Sequence, residues 1–201
     1  WANKPATATW NVITACKSKR YLNGCQVEYR FRANTNAPFL EAAAMTDPLL
    51  PVSTSVDIDI PFQDIDAMEV VWHGNYTRYL EIARCALLDC IEYDYPRMRD
   101  SGFAWPVIDM RIKFIRPLLF KQRIRVHATL VEYENRLKME FLIADAATGE
   151  KLSKAYTTQV AVDMKNHEMC FVSPDVLRKK LADYQQKKKS LNQHPATGML
   201  S

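Results

Sequence analysis

One stretch of helical hydrophobic spacing, set among stretches that alternate, limits what this chain can fold into. From Asn75 to about Tyr93, the apolar residues Tyr76, Tyr79, Leu80, Ala83, Leu87, Cys90 and Ile91 recur every three or four positions. The apolar face is wide, as expected of a helix that a curved sheet wraps. Before it, Val56, Ile58, Ile60 and Phe62 alternate with Ser55, Asp57, Asp59 and Pro61, a half-buried strand expected to end in Asp64 and Asp66. After it, beyond a loop containing Pro96 and Gly102, four strand-like stretches follow at about 105–116, 122–133, 137–146 and 151–164. Ile124, Val126, Ala128 and Leu130 alternate with Arg123, Arg125, His127 and Thr129, and Leu137, Met139, Phe141 and Ile143 repeat the scheme. Glu134-Asn135 and Thr148-Gly149 are hairpin turn signals. Ser173-Pro174-Asp175 reads as an N-cap, an N1 proline and an acidic first turn, opening a helix to about Gln186. The class is α+β: one long helix against an antiparallel sheet.

The length of 201 residues suits one domain with a sizeable core, and 48% apolar residues make it globular. No apolar run approaches the roughly eighteen residues of a membrane-spanning helix. The net charge of +4 includes Lys187-Lys188-Lys189. No basic stripe is interleaved with aromatics, which argues against a nucleic-acid partner. The five cysteines (Cys16, Cys25, Cys85, Cys90, Cys170) form no Cys-x-x-Cys pair. An odd count without a disulfide framework points to a reducing cytoplasm. With five glycines there is neither a phosphate loop nor a dinucleotide fingerprint. His73, His127, His167 and His194 are scattered without ligand spacing, so no metal and no cofactor are expected.

The chemistry concentrates between Asp64 and Arg84. Acidic residues precede Val70-Val71-Trp72-His73-Gly74-Asn75-Tyr76, which leads into the apolar helix. That places a carboxylate near unpaired N–H groups at a helix start, an arrangement suited to attack on a carbonyl and retention of the oxyanion. Asn75 is a reasonable N-cap, and Gly74 lets the backbone approach closely. Asp66 is the residue expected to act, although an Asp in such a loop often serves as an Asx-turn. Asp64 reads as a turn or loop-bracing residue. Glu81 and Arg84, three apart on the helix, suit a salt bridge.

Asp66, Val70, Val71, Trp72, His73, Asn75, Tyr76 and Arg84 carry a family resemblance. The segment resembles the signature of hotdog-fold acyl-CoA thioesterases of the 4-hydroxybenzoyl-CoA thioesterase family, over roughly residues 52 to 178. One departure is Glu69, where many members have Gly; a positive φ there suits Gly better than Glu. The resemblance implies a hotdog fold, a long central helix wrapped by a curved antiparallel sheet, assembled as homodimers or homotetramers. It implies Asp66 as catalytic carboxylate, attacking the thioester directly or deprotonating water. The carbonyl would be polarised by backbone N–H groups near His73 to Asn75. His73 is either an assisting group or a structural histidine. Trp72 and Tyr76 would shape the acyl pocket, with a core role open for Tyr76.

The thioester would be carried by coenzyme A or by an acyl carrier protein. The cations Arg111, Lys113, Arg116, Lys121, Arg123 and Arg125 form a basic cluster suited to either, Arg116 and Lys121 foremost, although alternation alone exposes charges on a strand face. Residues 45–186 are expected to form the domain, 1–44 an extension without a signal-peptide pattern, and 187–201 a flexible tail. A non-catalytic acyl-carrier-binding protein in fatty-acid or polyene synthesis is the competing reading, supported by Glu69. A dehydratase is a third, disfavoured because the helix interior has no His.

Overall fold

The computed structural model describes residues 49–193 and, before them, the backbone of three short strands, β1 (Lys19–Leu22), β2 (Cys25–Glu28) and β3 (Phe31–Arg32). The expected extension at 1–44 therefore lies largely outside the described residues, as do Met45 and the chain after 193.

From residue 52 the order is β4 (Val52–Asp59), α1 (Tyr76–Cys90), α2 (Tyr95–Asp100), β5 (Phe103–Ala104), β6 (Val107–Phe114), β7 (Arg123–Glu132), β8 (Leu137–Asp145), β9 (Lys151–Gln159), β10 (Val162–Asp163) and α3 (Asp175–Gln193). The main sheet runs β3-β4-β7-β8-β9-β6, all antiparallel. β4 is separated in sequence from its neighbour β7 by α1, so the helix crosses one face of the sheet. This is the hotdog architecture.

Alternation decides which side chains meet the helix. Val126, Ala128 and Leu130 of β7 and Met139, Phe141 and Ile143 of β8 point into the core. There they meet Tyr79, Leu80, Ala83, Leu87 and Leu88 of α1, all fully or nearly fully buried. Each large side chain so buried contributes about 1.5–3 kcal/mol. Among the described residues β6 pairs only with β9, leaving its other edge bare, with Val107, Ile108, Met110 and Phe114 exposed along it.

Several boundaries differ from the sequence reading. The first strand stops at Asp59; Pro61 has no N–H to continue a ladder, and the chain turns into a 3-10 segment at Phe62–Asp64. Asp64 and Asp66 therefore sit in a loop and not on a strand. The stretch around Pro96 is a short helix, with the Asp94 side chain accepting from the Arg97 amide and Pro96 in the first turn. The last strand is cut at Val160, and β10 pairs with β5 as a separate ribbon. α3 begins as expected, but the Ser173 hydroxyl has no hydrogen-bond partner among the described residues and does not cap it.

α3 also continues to Gln193, so the lysine run at 187–189 is helical and not tail. Leu177 and Leu181 hold it to the core, Gln185 donates to the Leu49 carbonyl at 3.1 Å, and Lys187 pairs with Glu92 at 2.5 Å.

Candidate active site

The loop between β4 and α1 is built as a miniature hairpin. Ile65 bridges Val71, the Asp66 amide donates to the Val70 carbonyl at 2.8 Å, and the Glu69 amide donates to the Asp66 carbonyl at 3.0 Å. Glu69 occupies the turn at φ 62. The positive φ that a glycine would favour is thus adopted by Glu. The hairpin is tied sideways to a second loop by the Val70–Leu119 bridge and by Val71 donating to the Leu118 carbonyl at 2.9 Å.

Asp64 fastens this loop to the helix. Its carboxylate is buried (1% exposed) and accepts from Arg78 and from the Tyr79 hydroxyl, the latter at 2.5 Å. Its carbonyl accepts from the Trp72 amide at 2.9 Å and from the Asn75 side chain at 3.1 Å. Burial, then the Asp64 hydrogen bond, push the Tyr79 hydroxyl well above the ordinary tyrosine range, so it stays a donor. Asp64 is the loop-bracing residue that the sequence suggested; its partners Arg78 and Tyr79 were not foreseen in that role. Asn75 is corrected: it already has helical dihedrals, continuing the 3-10 turn, and so makes no side-chain cap, while its side-chain NH2 donates to the Asp64 carbonyl.

Asp66 is partly buried on the turn of the hairpin. Its Oδ1 accepts from the Met68 amide at 2.8 Å, the Asx-turn geometry, while Oδ2 has no protein donor among the described residues. His73, Gly74 and Asn75 form a 3-10 turn leading directly into α1. The Asn75 amide is used by the Trp72 carbonyl at 2.9 Å and the Tyr76 amide by the His73 carbonyl. The backbone N–H groups of His73 and Gly74 donate to no acceptor among the described residues. They are the unsatisfied donors that every helix start presents.

Packing favours glycine at position 74. A Cβ on it would meet the Trp72 indole at 2.2 Å, so the ring lies directly over the glycine. Trp72 is 50% exposed and stacks at a tilt on the exposed His73 ring, centroids 5.0 Å apart. Tyr76 is buried, edge-on to Phe114 at 4.9 Å. Phe62, Met68, Trp72, Leu119 and Phe120 stand exposed on the two bridged loops, with Phe62 and Phe120 edge-to-face at 5.6 Å. A bare apolar rim of this kind marks a binding surface more often than chance exposure.

The basic cluster divides. Arg116 pairs with Glu150 at 2.6 Å, and Lys121, at φ 63, lies over the Phe120 ring at 5.3 Å beside the apolar rim. Arg123 reaches Asp57 and Asp59 only at 3.9 Å, and Arg125 makes two short bonds to Asp57. Arg111, Lys113 and Arg125 face outward from the sheet, away from α1. Glu81 and Arg84 make the expected pair, at 2.7 and 2.8 Å. No group of His, Cys, Asp or Glu among the described residues is placed to hold a metal, and no described helix is long and apolar enough to cross a membrane.

The architecture is that of a hotdog protein. A family model described as the Thioesterase-like superfamily matches residues 60–180, and the chain belongs to that superfamily. It is similar to YneP of Bacillus subtilis, whose name carries acyl-CoA thioesterase as a candidate activity: 26% identical over 110 residues, 55% of this chain and 80% of YneP. Solved structures share the fold. Slr0204 of Synechocystis, a 1,4-dihydroxy-2-naphthoyl-CoA thioesterase, superposes with TM-score 0.59 at 19% identity over 65% of this chain and 96% of its own. The DHNA-CoA thioesterase of Staphylococcus aureus does so with TM-score 0.59 and 19% identity over 74% and 99%.

Proposed function

We propose that the chain hydrolyses an apolar acyl or aroyl thioester of coenzyme A, with Asp66 as the acting carboxylate and the His73 and Gly74 amides as the oxyanion donors. The observation that carries this reading is the pair of unspent N–H groups at the helix start, next to a loop whose carboxylate keeps one oxygen without a protein donor. Water attacks the thioester carbonyl while Asp66 takes its proton. The negative charge gathers on the former carbonyl oxygen and is held by the two amides, each such donor being worth about 2.7–4 kcal/mol in the transition state. Collapse breaks the C–S bond, the thiolate takes the proton back from Asp66, and a carboxylic acid departs. Direct attack by Asp66, giving an anhydride that water then opens, uses the same groups. His73, exposed at the mouth, is placed to orient water.

The rim of Phe62, Met68, Trp72, Leu119 and Phe120 supports an apolar acyl group, with Lys121 as a cation for the carrier's phosphates; Tyr76, packed in the core beneath, would support the rim from behind. Arg116 could join only by leaving Glu150, which two exposed side chains do at little cost. The bare, apolar edge of β6 favours assembly of two copies edge to edge. Against the non-catalytic reading, which rested on Glu69, stands the positive φ of Glu69, the conformation a glycine there would favour. Thiol release from a panel of acyl- and aroyl-CoAs, with an acyl carrier protein thioester alongside, tests the proposal. Turnover of at least one apolar thioester is expected, and release no faster than the uncatalysed rate from every one would overturn it.

A further inference from the structure

A depression of about 530 Å³ lies on the outer face of the sheet, the face turned away from α1. Its volume is within the range of small-molecule sites. Alternation separates it from the thioester site: Val126, Ala128 and Ile143 point to the helix, while Leu142 and Ala144 point out and form its floor. Ala144 faces outward yet is only 5% exposed, because long side chains from the neighbouring strands rise around it. The hollow exists because short residues on β8 are walled by Arg111 and Lys113 of β6 and by Lys154 and Tyr156 of β9.

Cations predominate in the lining of this hollow. Five cations line it against two carboxylates, Glu140 and Asp145. Arg125 is neutralised by Asp57 at 2.6 and 2.8 Å, and Asp145 is committed to the Gln122 side chain and to the Ala147 and Thr148 amides. Arg111 and Lys113 make no ion pair with any described residue, although both are exposed at the rim. Two copies meeting through this face would bring like charges together, which disfavours a second copy as its occupant.

We propose that this hollow binds a small amphipathic anion, an apolar body lying on Leu142, Ala144 and the Tyr156 ring with its carboxylate or phosphate head held by Arg111 and Lys113. Charge complementarity selects the head, since guanidinium and ammonium groups bind either oxyanion. The apolar floor selects the body. The proposal does not depend on the thioesterase reading, because no turnover enters it.

Titration calorimetry on the full chain, with decanoate and octyl phosphate as separate probes below their micellar range, tests it. Saturable binding of at least one probe is expected, and which one binds identifies the head group. Replacing both rim cations (Arg111→Ala with Lys113→Ala) is expected to weaken it by roughly tenfold or more. Removing two exposed cations of α3 (Arg178→Ala with Lys179→Ala) is expected to leave it within about twofold, and uncharged 1-octanol to bind at least about tenfold more weakly. Lys154→Ala provides an independent rim variant should the double change not fold. The proposal is overturned if neither probe saturates, if the α3 pair weakens binding as much as the rim pair, if the rim variants bind as the wild type does, or if octanol binds equally.

Discussion

The Tyr79 hydroxyl donates to the buried carboxylate of Asp64 at 2.5 Å, joining the second turn of α1 to a loop fifteen residues earlier in the chain. With Arg78 on the same oxygen and the Trp72 and Asn75 groups on the Asp64 carbonyl, this one residue sets where the hairpin bearing Asp66 stands relative to the helix start. Asp64 is a positioning residue, and Asp66 two residues on is the one proposed to touch substrate.

Tyr79→Phe deletes one donor to a buried carboxylate and is expected to cost about 1–3 kcal/mol of stability. Asp64→Asn keeps the shape but removes the charge that Arg78 and Tyr79 answer, and should cost a similar amount while lowering kcat more than it raises KM. Urea unfolding and steady-state kinetics on both variants check this. Unchanged urea midpoints in both would show that the brace does not hold the loop.

Gly74→Ala forces the Trp72 indole away, since the new Cβ would stand 2.2 Å from the ring. Turnover of an apolar thioester should fall, and the loss should be smaller in a Trp72→Ala background, where the clash is gone. A double-mutant cycle reads the coupling; strict additivity would mean the two residues do not act through each other.

Much of this architecture is legible in the sequence, because period and burial agree. The apolar spacing from Tyr76 to Ile91 fixes the helix, and the alternation of β7 and β8 fixes which side chains meet it. Less legible is whatever depends on distant partners. Asn75 has the composition of a cap, but the 3-10 turn before α1 gives it helical dihedrals, and its side-chain NH2 reaches the Asp64 carbonyl eleven residues earlier. Tyr79 has helical apolar spacing and reads as core; its hydroxyl finds a carboxylate that only the folded loop supplies. The strand alternation runs on to Phe62 in the sequence, yet Pro61 breaks the ladder. The amides of His73 and Gly74 are marked in the sequence only by the start of a helix and by the Val70-to-Tyr76 motif that leads into it.

Burial lowers the His127 imidazole below its ordinary value; the nearby Arg125 charge acts in the same direction and Asp57 partly offsets it. The unfolded chain then holds more protons than the folded one between that lowered value and about 6.5. Stability therefore rises with pH across this interval and is lost as pH falls through it. His127→Gln, which can still meet Ser55, should flatten the pH dependence of the urea midpoint between about pH 8 and pH 5. An unchanged slope would exclude His127 as its source.

Ile108→Lys places a charge on the bare edge of β6, where Ile108 is 59% exposed. Edge-to-edge pairing predicts two copies for the wild type and one for the variant in sedimentation equilibrium, with the fold intact. A wild type that sediments as one copy would remove that assembly from the account.

The most direct measurement is thiol release by Asp66→Asn beside the wild type, on whichever acyl-CoA the wild type turns over fastest. The substitution keeps the Oδ1 contact with the Met68 amide and removes the base, so the rate should fall by roughly 10²-fold or more with the fold unchanged. Equal rates in the two proteins would contradict the assignment of Asp66, and with it the chemistry proposed for this loop.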